Sequence, residues 1–303
     1  MKNFVLKLSD EDNVAVARKN LQKGDFGALS QIPFGHKIST RIILEGEPII
    51  KYGQVIGYAN NDINLGEHLH THNVNYRDVN KNYEFSDDYV PKSVNLYNTK
   101  SNFMGFKRSN GLVGTRNTIA ILTSVNCSAT AARMIAEHFS NDKIKAYPNV
   151  DNVTAFVHST GCGMADNGDG FEALQRVLWG YAKNPNVAGV LLVGLGCEIN
   201  QIDWLLESYQ IKQGPYFQIL NIQNLSGLRK TVEKGIEKIH KMLPVVDKMN
   251  RSLCSVSDLT LGLQCGGSDA WSGITANPAL GYACDLLISK GGTGVLAETP
   301  EIY

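Results

Sequence analysis

The chain has no excess of charge of either sign, since 29 Lys and Arg balance 29 Asp and Glu over 303 residues. That balance excludes the basic footprint of a nucleic-acid or anionic-membrane binder. No apolar run approaches the roughly 20 residues that a membrane-spanning helix needs. The segment from Met1 to Lys7 turns charged too early for a secretory signal, so a cytoplasmic location is expected. The six cysteines contain no Cys-x-x-Cys pair, and free thiols rather than disulfides are expected. A Gly-x-x-x-x-Gly-Lys-Ser/Thr phosphate loop is also missing. Neither Gly161-x-Gly163 nor Gly194-x-Gly196 completes a dinucleotide fingerprint, because Asp166 and Ile199 occupy the third glycine position. Nucleotide and nicotinamide chemistry are thereby set aside.

What is present begins with Gly66-Glu67-His68-Leu69-His70-Thr71-His72-Asn73, which holds three of the seven histidines at alternate positions. In a β-strand that spacing places His68, His70 and His72 on one face, where neutral imidazoles can converge on a divalent cation. The competing reading is an exposed polar face without a ligand.

Length points to two domains. Residues 1–75 carry short apolar segments broken by glycine, as in Tyr52-Gly53-Gln54-Val55-Ile56-Gly57-Tyr58, the pattern of a small bent β-domain. Residues 76–104 turn to Asn, Asp, Lys, Ser and Tyr and read as a linker. From 105 to 303, strand candidates at Thr118 to Val125, Thr154 to His158, Ala188 to Gly194, Tyr216 to Ile222, Leu259 to Gln264 and Gly294 to Ala297 alternate with amphipathic stretches. Those stretches are Ala129 to Phe139, Gly170 to Ala182, Leu228 to Met242 and Pro278 to Ser289. The expectation is an α/β domain with a mainly parallel sheet.

Ligands gather at the carboxyl ends of the strands in such sheets. Four expected strand ends carry a cysteine, Cys127, Cys162, Cys197 and Cys265, three of them beside glycines that let backbone approach a ligand. Their thiolates suit a soft or borderline metal, whereas the plainer reading is that cysteine is a small, often buried residue. The loop from Cys265 to Pro278 is rich in hydroxyls and amides, with Ser268, Asp269 and Asn277 suited to a polyhydroxylated anion. Asn277 beside Pro278 is also a helix-capping arrangement.

Gly35-His36-Lys37, the run from Ile50 to Tyr58, the Gly66 to Asn73 segment, Gly114-Thr115-Arg116-Asn117, Gly194 to Glu198 and the Cys265 to Pro278 loop together resemble the altronate and galactarate dehydratase family, in the family's order. The resemblance implies a small β-clip domain of the SAF type followed by an α/β module, and an Fe2+- or Mn2+-dependent hydro-lyase acting on a sugar acid. The histidine triplet points to the altronate branch, with 2-dehydro-3-deoxy-D-gluconate as product. Galactarate or another sugar acid, or a noncatalytic module that binds a sugar acid or a metal, are the alternatives. Family members are longer, and Glu298 to Tyr303 falls in the middle of the family pattern, which implies a chain incomplete at its C-terminus.

On this reading His68, His70, His72 and His36 are the metal ligands. His158 or Glu198 serves as acid or base, Arg116 pairs with the substrate carboxylate, and Ser268, Asp269 and Asn277 orient its hydroxyls. The expected partner is a small sugar acid, with no nucleic acid and no membrane; assembly into a homo-oligomer is compatible with the sequence.

Overall fold

The structure, a computed structural model, describes residues 4–77, 101–264 and 271–297. These fall into two compact units: residues 4–77 with 261–264, 271–289 and 294–297, and residues 101–260 with 290–293. Among the described residues no helix is long and apolar enough to cross a membrane.

The first unit is built on β1 (Val5–Leu6), β2 (Val14–Ala17), β3 (Lys37–Ser39), β4 (Pro48–Lys51), β5 (Gln54–Ala59), β6 (His68–Leu69) and β7 (Val74–Asn75). They form two antiparallel sheets, in the orders β1-β2-β3-β6 and β4-β5-β7. A repeated device generates this domain. An aliphatic residue, two others, a glycine, a polar residue, one further residue and a returning aliphatic recur at Ile32 to Ile38, Ile43 to Ile49 and Ile63 to Leu69, and all six flanking aliphatics are fully buried. In the last two copies the residue after the glycine is an acid that caps its own turn. Glu47 accepts from the Leu44 amide at 3.1 Å and Glu67 from the Asn64 amide at 2.9 Å. Asp25 does the same for Gln22 at 3.0 Å in a related turn. Gly66, at φ +81°, is irreplaceable in its copy, because a Cβ there would lie 2.1 Å from the Gly27 carbonyl oxygen.

The second unit centres on β10 (Thr118–Thr123), β11 (Asn152–Phe156), β12 (Val187–Gly194) and β13 (Phe217–Asn221), all parallel, in the order β11-β10-β12-β13. Period-two alternation sends Ile119 and Ile121 into a core with α1 (Ala129–His138) and α4 (Leu228–Val246). Ala120 and Leu122 enter the opposite core with α2 (Asp169–Ala182) and α3 (Ile202–Ser208). Strand β10 is buried along its whole length, which is why it reads as a continuous apolar run.

Two departures from expectation concern the edges. β15 (Thr260–Leu263) and β16 (Thr293–Leu296), joined through α5 (Ala276–Ser289), pair with each other and stand apart from the four-stranded sheet. An antiparallel sheet of β14 (Ser252–Ser255), β8 (Asn102–Lys107) and β9 (Val113–Gly114) has no counterpart in the sequence reading, and β8 starts inside the stretch read as linker. Most of that stretch, residues 78–100, lies outside the described residues.

Two outcomes are expected. A Cβ at Gly235 of α4 would meet Ile135 Cδ1 of α1 at 2.2 Å, so Gly235→Ala should destabilise the second unit by about 1–3 kcal/mol through overpacking, read by thermal denaturation. Asp12, nearly fully buried, accepts from the Gly53 amide at 2.8 Å and the Ser9 amide at 3.2 Å. Burial raises its pKa, but the amides of Gly53, Ser9, Tyr52 and Leu8 outweigh burial and hold it below the ordinary value. The folded pKa is depressed, so the stabilisation is complete above the usual carboxylate range and is lost as pH falls through the folded value. Amide exchange around residues 9–12 and 50–54 should therefore quicken in acid, and Asp12→Asn should flatten that response.

Candidate functional site

In the first unit β3 and β6 pair with Ile38 opposite His68, which brings His36 beside the histidine segment. His36 Nδ1 and His68 Nε2 share one hydrogen bond at 2.9 Å. Ring centroids lie 5.1 Å apart for His36 and His68, 5.2 Å for His36 and His70, 5.9 Å for His68 and His70 and 5.5 Å for His68 and His72. His36 stands where the other two copies of the repeat carry Glu47 and Glu67. That copy opens on Pro33, which has no amide for an acid to cap, so the position is open to an imidazole.

The route by which the segment gathers its rings differs from the expected strand. β6 covers only His68 and Leu69, and a turn follows. Asn73, almost fully buried, fastens that turn: its Oδ1 accepts from the His70 amide at 3.0 Å, and its Nδ2 donates to the His68 carbonyl at 2.9 Å and to Glu67 Oε1 at 3.3 Å. Asparagine was legible as part of the segment, but its bracing role carries no local sequence signal.

The electrostatics favour neutral rings. His68 is pushed down to about 4 by burial first and then by His36, His72, His70 and Lys37. Burial, His70 and Lys37 likewise lower His36. Neutral imidazole nitrogens are donors that suit Fe2+ or Mn2+. Among the described residues, however, no group of three or more His, Cys, Asp or Glu side chains is already drawn into a geometry that would hold a metal ion. Lys37, beside the cluster, is lowered by burial, and Lys51 is lowered by burial and by Lys37.

In the second unit three exposed thiols follow three neighbouring strands: Cys127 after β10, Cys162 after β11 and Cys197 after β12. Desolvation raises the Cys127 thiol, and Cys162 and Cys197 add to the rise. The loops beneath them are tied to Ser124, Val125 and Asn126. The Asn126 amide donates to the Thr160 carbonyl at 2.8 Å. Gly161, at φ +97°, passes so close that a Cβ would lie 2.4 Å from the Ser124 carbonyl oxygen. Glu198, 2% exposed, accepts from Ser124 Oγ at 2.6 Å, from the Leu195 amide at 3.1 Å and from the Gly196 amide. Asn200 Nδ2 donates to the Ser124 carbonyl at 3.0 Å.

His158 belongs to the same framework. Its Nδ1 accepts from the Thr160 amide at 3.3 Å, which leaves Nε2 as donor to the Thr123 carbonyl at 2.8 Å. Both nitrogens of His158 and both oxygens of Glu198 are therefore engaged in holding loops. Arg116 is exposed and precedes β10, so it sits at the end of that strand opposite Cys127. Asn277 is exposed in the first turn of α5, its amide donating to the Ser272 carbonyl at 2.8 Å. Cys265, Ser268 and Asp269 lie outside the described residues.

Comparison with known proteins accounts for most of the chain. Residues 3–77 match the altronate/galactarate dehydratase SAF domain. Residues 105–247 match the second domain of D-galactarate dehydratase/altronate hydrolase, and residues 256–303 match the C-terminal domain of D-galactarate/altronate dehydratase. The chain is 36% identical to altronate dehydratase of Bacillus subtilis strain 168 over 315 residues, covering 100% of this chain and 61% of that protein. Identity to altronate dehydratase of Escherichia coli K12 is 35% over 310 residues, 98% of this chain and 60% of the relative. Galactarate dehydratase (L-threo-forming) of E. coli K12 is 34% identical over 313 residues, 99% and 60% respectively. The chain thus spans about three fifths of the length of these relatives.

Removing a brace should be felt at the loop it holds. Glu198→Ala leaves the buried Ser124 hydroxyl and two amides without their acceptor, and a loss of about 1–3 kcal/mol is expected in denaturant unfolding of the second unit. An unchanged midpoint would show that the carboxylate does not hold the loop.

Proposed function

Because the chain belongs to the altronate and galactarate dehydratase family, we propose that it is a sugar-acid hydro-lyase taking D-altronate to 2-dehydro-3-deoxy-D-gluconate and water, with Fe2+ or Mn2+ as cofactor. The observation that carries this reading is the convergence of His36, His68, His70 and His72 in the SAF domain of such a chain.

The reaction removes the proton at C2 and the hydroxyl at C3, and the resulting enol ketonises at C2. The C2 proton is weakly acidic because the neighbouring carboxylate is already ionised. A divalent ion supplies Lewis acidity toward that carboxylate and the 2-hydroxyl. The four imidazoles are the residues that would hold it, since His68 and His36 are kept neutral and neutral nitrogen is the ligating form.

Lys37 contributes a cation next to the imidazoles and is suited to the substrate carboxylate. Ser268, Asp269 and Asn277 remain the groups proposed for the sugar hydroxyls, and Arg116 a second partner for a carboxylate. Glu198 and His158 act as positioning residues, because each would have to break the hydrogen bonds that order its loop before moving a proton.

Anaerobically purified protein should contain iron or manganese, and the His68→Ala/His70→Ala double variant should bind it at least about tenfold more weakly. Appearance of a 2-keto acid from D-altronate, compared with galactarate and other sugar acids, tests the reaction and the choice of substrate together. Saturable binding of sugar acids without turnover would sink the enzyme reading and leave a binding module. Asn73→Ala should weaken metal binding as well, by about 10- to 100-fold in affinity, because it frees the turn that carries His70.

A further inference from the structure

The strand order β11-β10-β12-β13 reverses direction at β10: the chain first steps from β10 to β11 on one side and then to β12 on the other. Connections leaving β10 and β12 at such a point diverge to opposite faces and open a crevice at the carboxyl ends of the strands. Residues 124–128, with Cys127, and residues 195–198, with Cys197, are the loops that border it. The loop carrying Cys162 is brought to the same place by the Asn126 to Thr160 hydrogen bond and by the close passage of Gly161 over Ser124.

Each thiol is exposed, and that of Cys127 lies within interaction range of those of Cys162 and Cys197. Three free thiols presented together are a standing liability to oxidation, so their place on a rigid, buried scaffold calls for a ligand. The same scaffold holds polar atoms that no protein group satisfies. Thr123 Oγ1, in a residue that is 0% exposed, and Asn200 Oδ1, in one that is 1% exposed, have no hydrogen-bond partner among the described residues. Both belong to residues already tied into the thiol loops, Thr123 through His158 and Asn200 through Ser124.

We propose that Cys127, Cys162 and Cys197 form a three-thiolate site for iron, taken up as a sulfide-bridged cluster. Thiolate is a soft donor, which selects iron–sulfur chemistry over the hard cations. No three donors among the described residues already stand around one point, and thiols delivered by three separate loops suit a cluster better than a single ion. The Thr123 hydroxyl, at the end of the strand that leads into the Cys127 loop, is a donor of the kind that hydrogen-bonds to cluster sulfur and tunes it. Glu198 is a positioning residue here, since it holds the Leu195 and Gly196 amides just before Cys197. The site is built from side chains of the second unit and does not depend on the histidine cluster.

The test uses the full chain, purified without oxygen and supplied with equal amounts of ferrous and ferric iron, alone or together with sulfide, so that a mixed-valence sulfide-bridged cluster can form without a further oxidant. Bound iron, acid-labile sulfide, sulfur-to-iron charge-transfer absorption and Mössbauer spectra are recorded. With sulfide present, absorption and comparable amounts of bound iron and sulfide are expected. Each of Cys127→Ser, Cys162→Ser and Cys197→Ser should lower the absorption and the acid-labile sulfide by about tenfold or more. Cys284→Ser, outside the trio, and the His68→Ala/His70→Ala variant should retain them, which separates this site from the one proposed above. Circular dichroism checks that the serine variants are folded; their thiols are exposed, so folding should be unaffected. Absorption that persists in all three serine variants would overturn the proposal. So would thiolate-bound iron that forms equally well without sulfide, or the absence of any sulfur-to-iron absorption in the wild-type chain.

Discussion

The second unit depends on one buried carboxylate. Glu198 satisfies the Ser124 hydroxyl and two backbone amides at once, and through Ser124 it joins the turn after β12 to the turn after β10. A carboxylate removed from water is tolerable when hydrogen bonds reach both of its oxygens, and the cost of losing those partners is what makes the arrangement rigid. Gly194 shows how tight it is, because a Cβ there would lie 2.5 Å from Glu198 Oε1 and 2.9 Å from Ser124 Oγ. Ser128 adds a further tie, its hydroxyl lying 2.8 Å from the Val125 carbonyl and 2.7 Å from that of Val193. The thiols are exposed, but the backbone that presents them is not free to wander.

The first unit obeys a different constraint, that of a short turn copied several times. Where the position after the glycine is acidic, the side chain closes its own turn; where it is His36, the equivalent turn residue is Pro33, which has no amide to cap, and the ring pairs with His68 instead. Asn73 fixes the other side of the cluster by holding the turn of His70 with three hydrogen bonds.

Much of this was legible in the sequence, for physical reasons that differ by element. Strands β10 and β12 announce themselves as unbroken apolar runs because both faces are covered, and α1 and α4 by a single apolar stripe. The cysteines were placed at strand ends by the same logic, and Cys127, Cys162 and Cys197 do follow β10, β11 and β12. The antiparallel strands β8 and β14 were illegible, since Asn102, Gly105, Ser252 and Ser255 interrupt any alternation and only pairing makes them strands. The grouping of the histidines was foreseen but its cause was not. A turn braced by a buried asparagine gathers the rings, and a bond from Asn73 to a backbone carbonyl five residues away leaves no trace in residue spacing. Likewise the saturation of Glu198 and His158 depends on partners 74 and 35 residues distant.

The self-closing turns of the first unit also bear on how the chain acquires its shape. Each is sealed by a side chain three residues from the amide it accepts, so the closure entropy of each step is small and the turns can form early. The parallel sheet enjoys no such economy: β10 must find β12 across nearly 70 residues before Ser124 can meet Glu198. A growing polypeptide therefore emerges with its quickly assembling part first and its slow, long-range part second, and the histidine cluster is in place while the sheet that carries the thiols is still searching for its register.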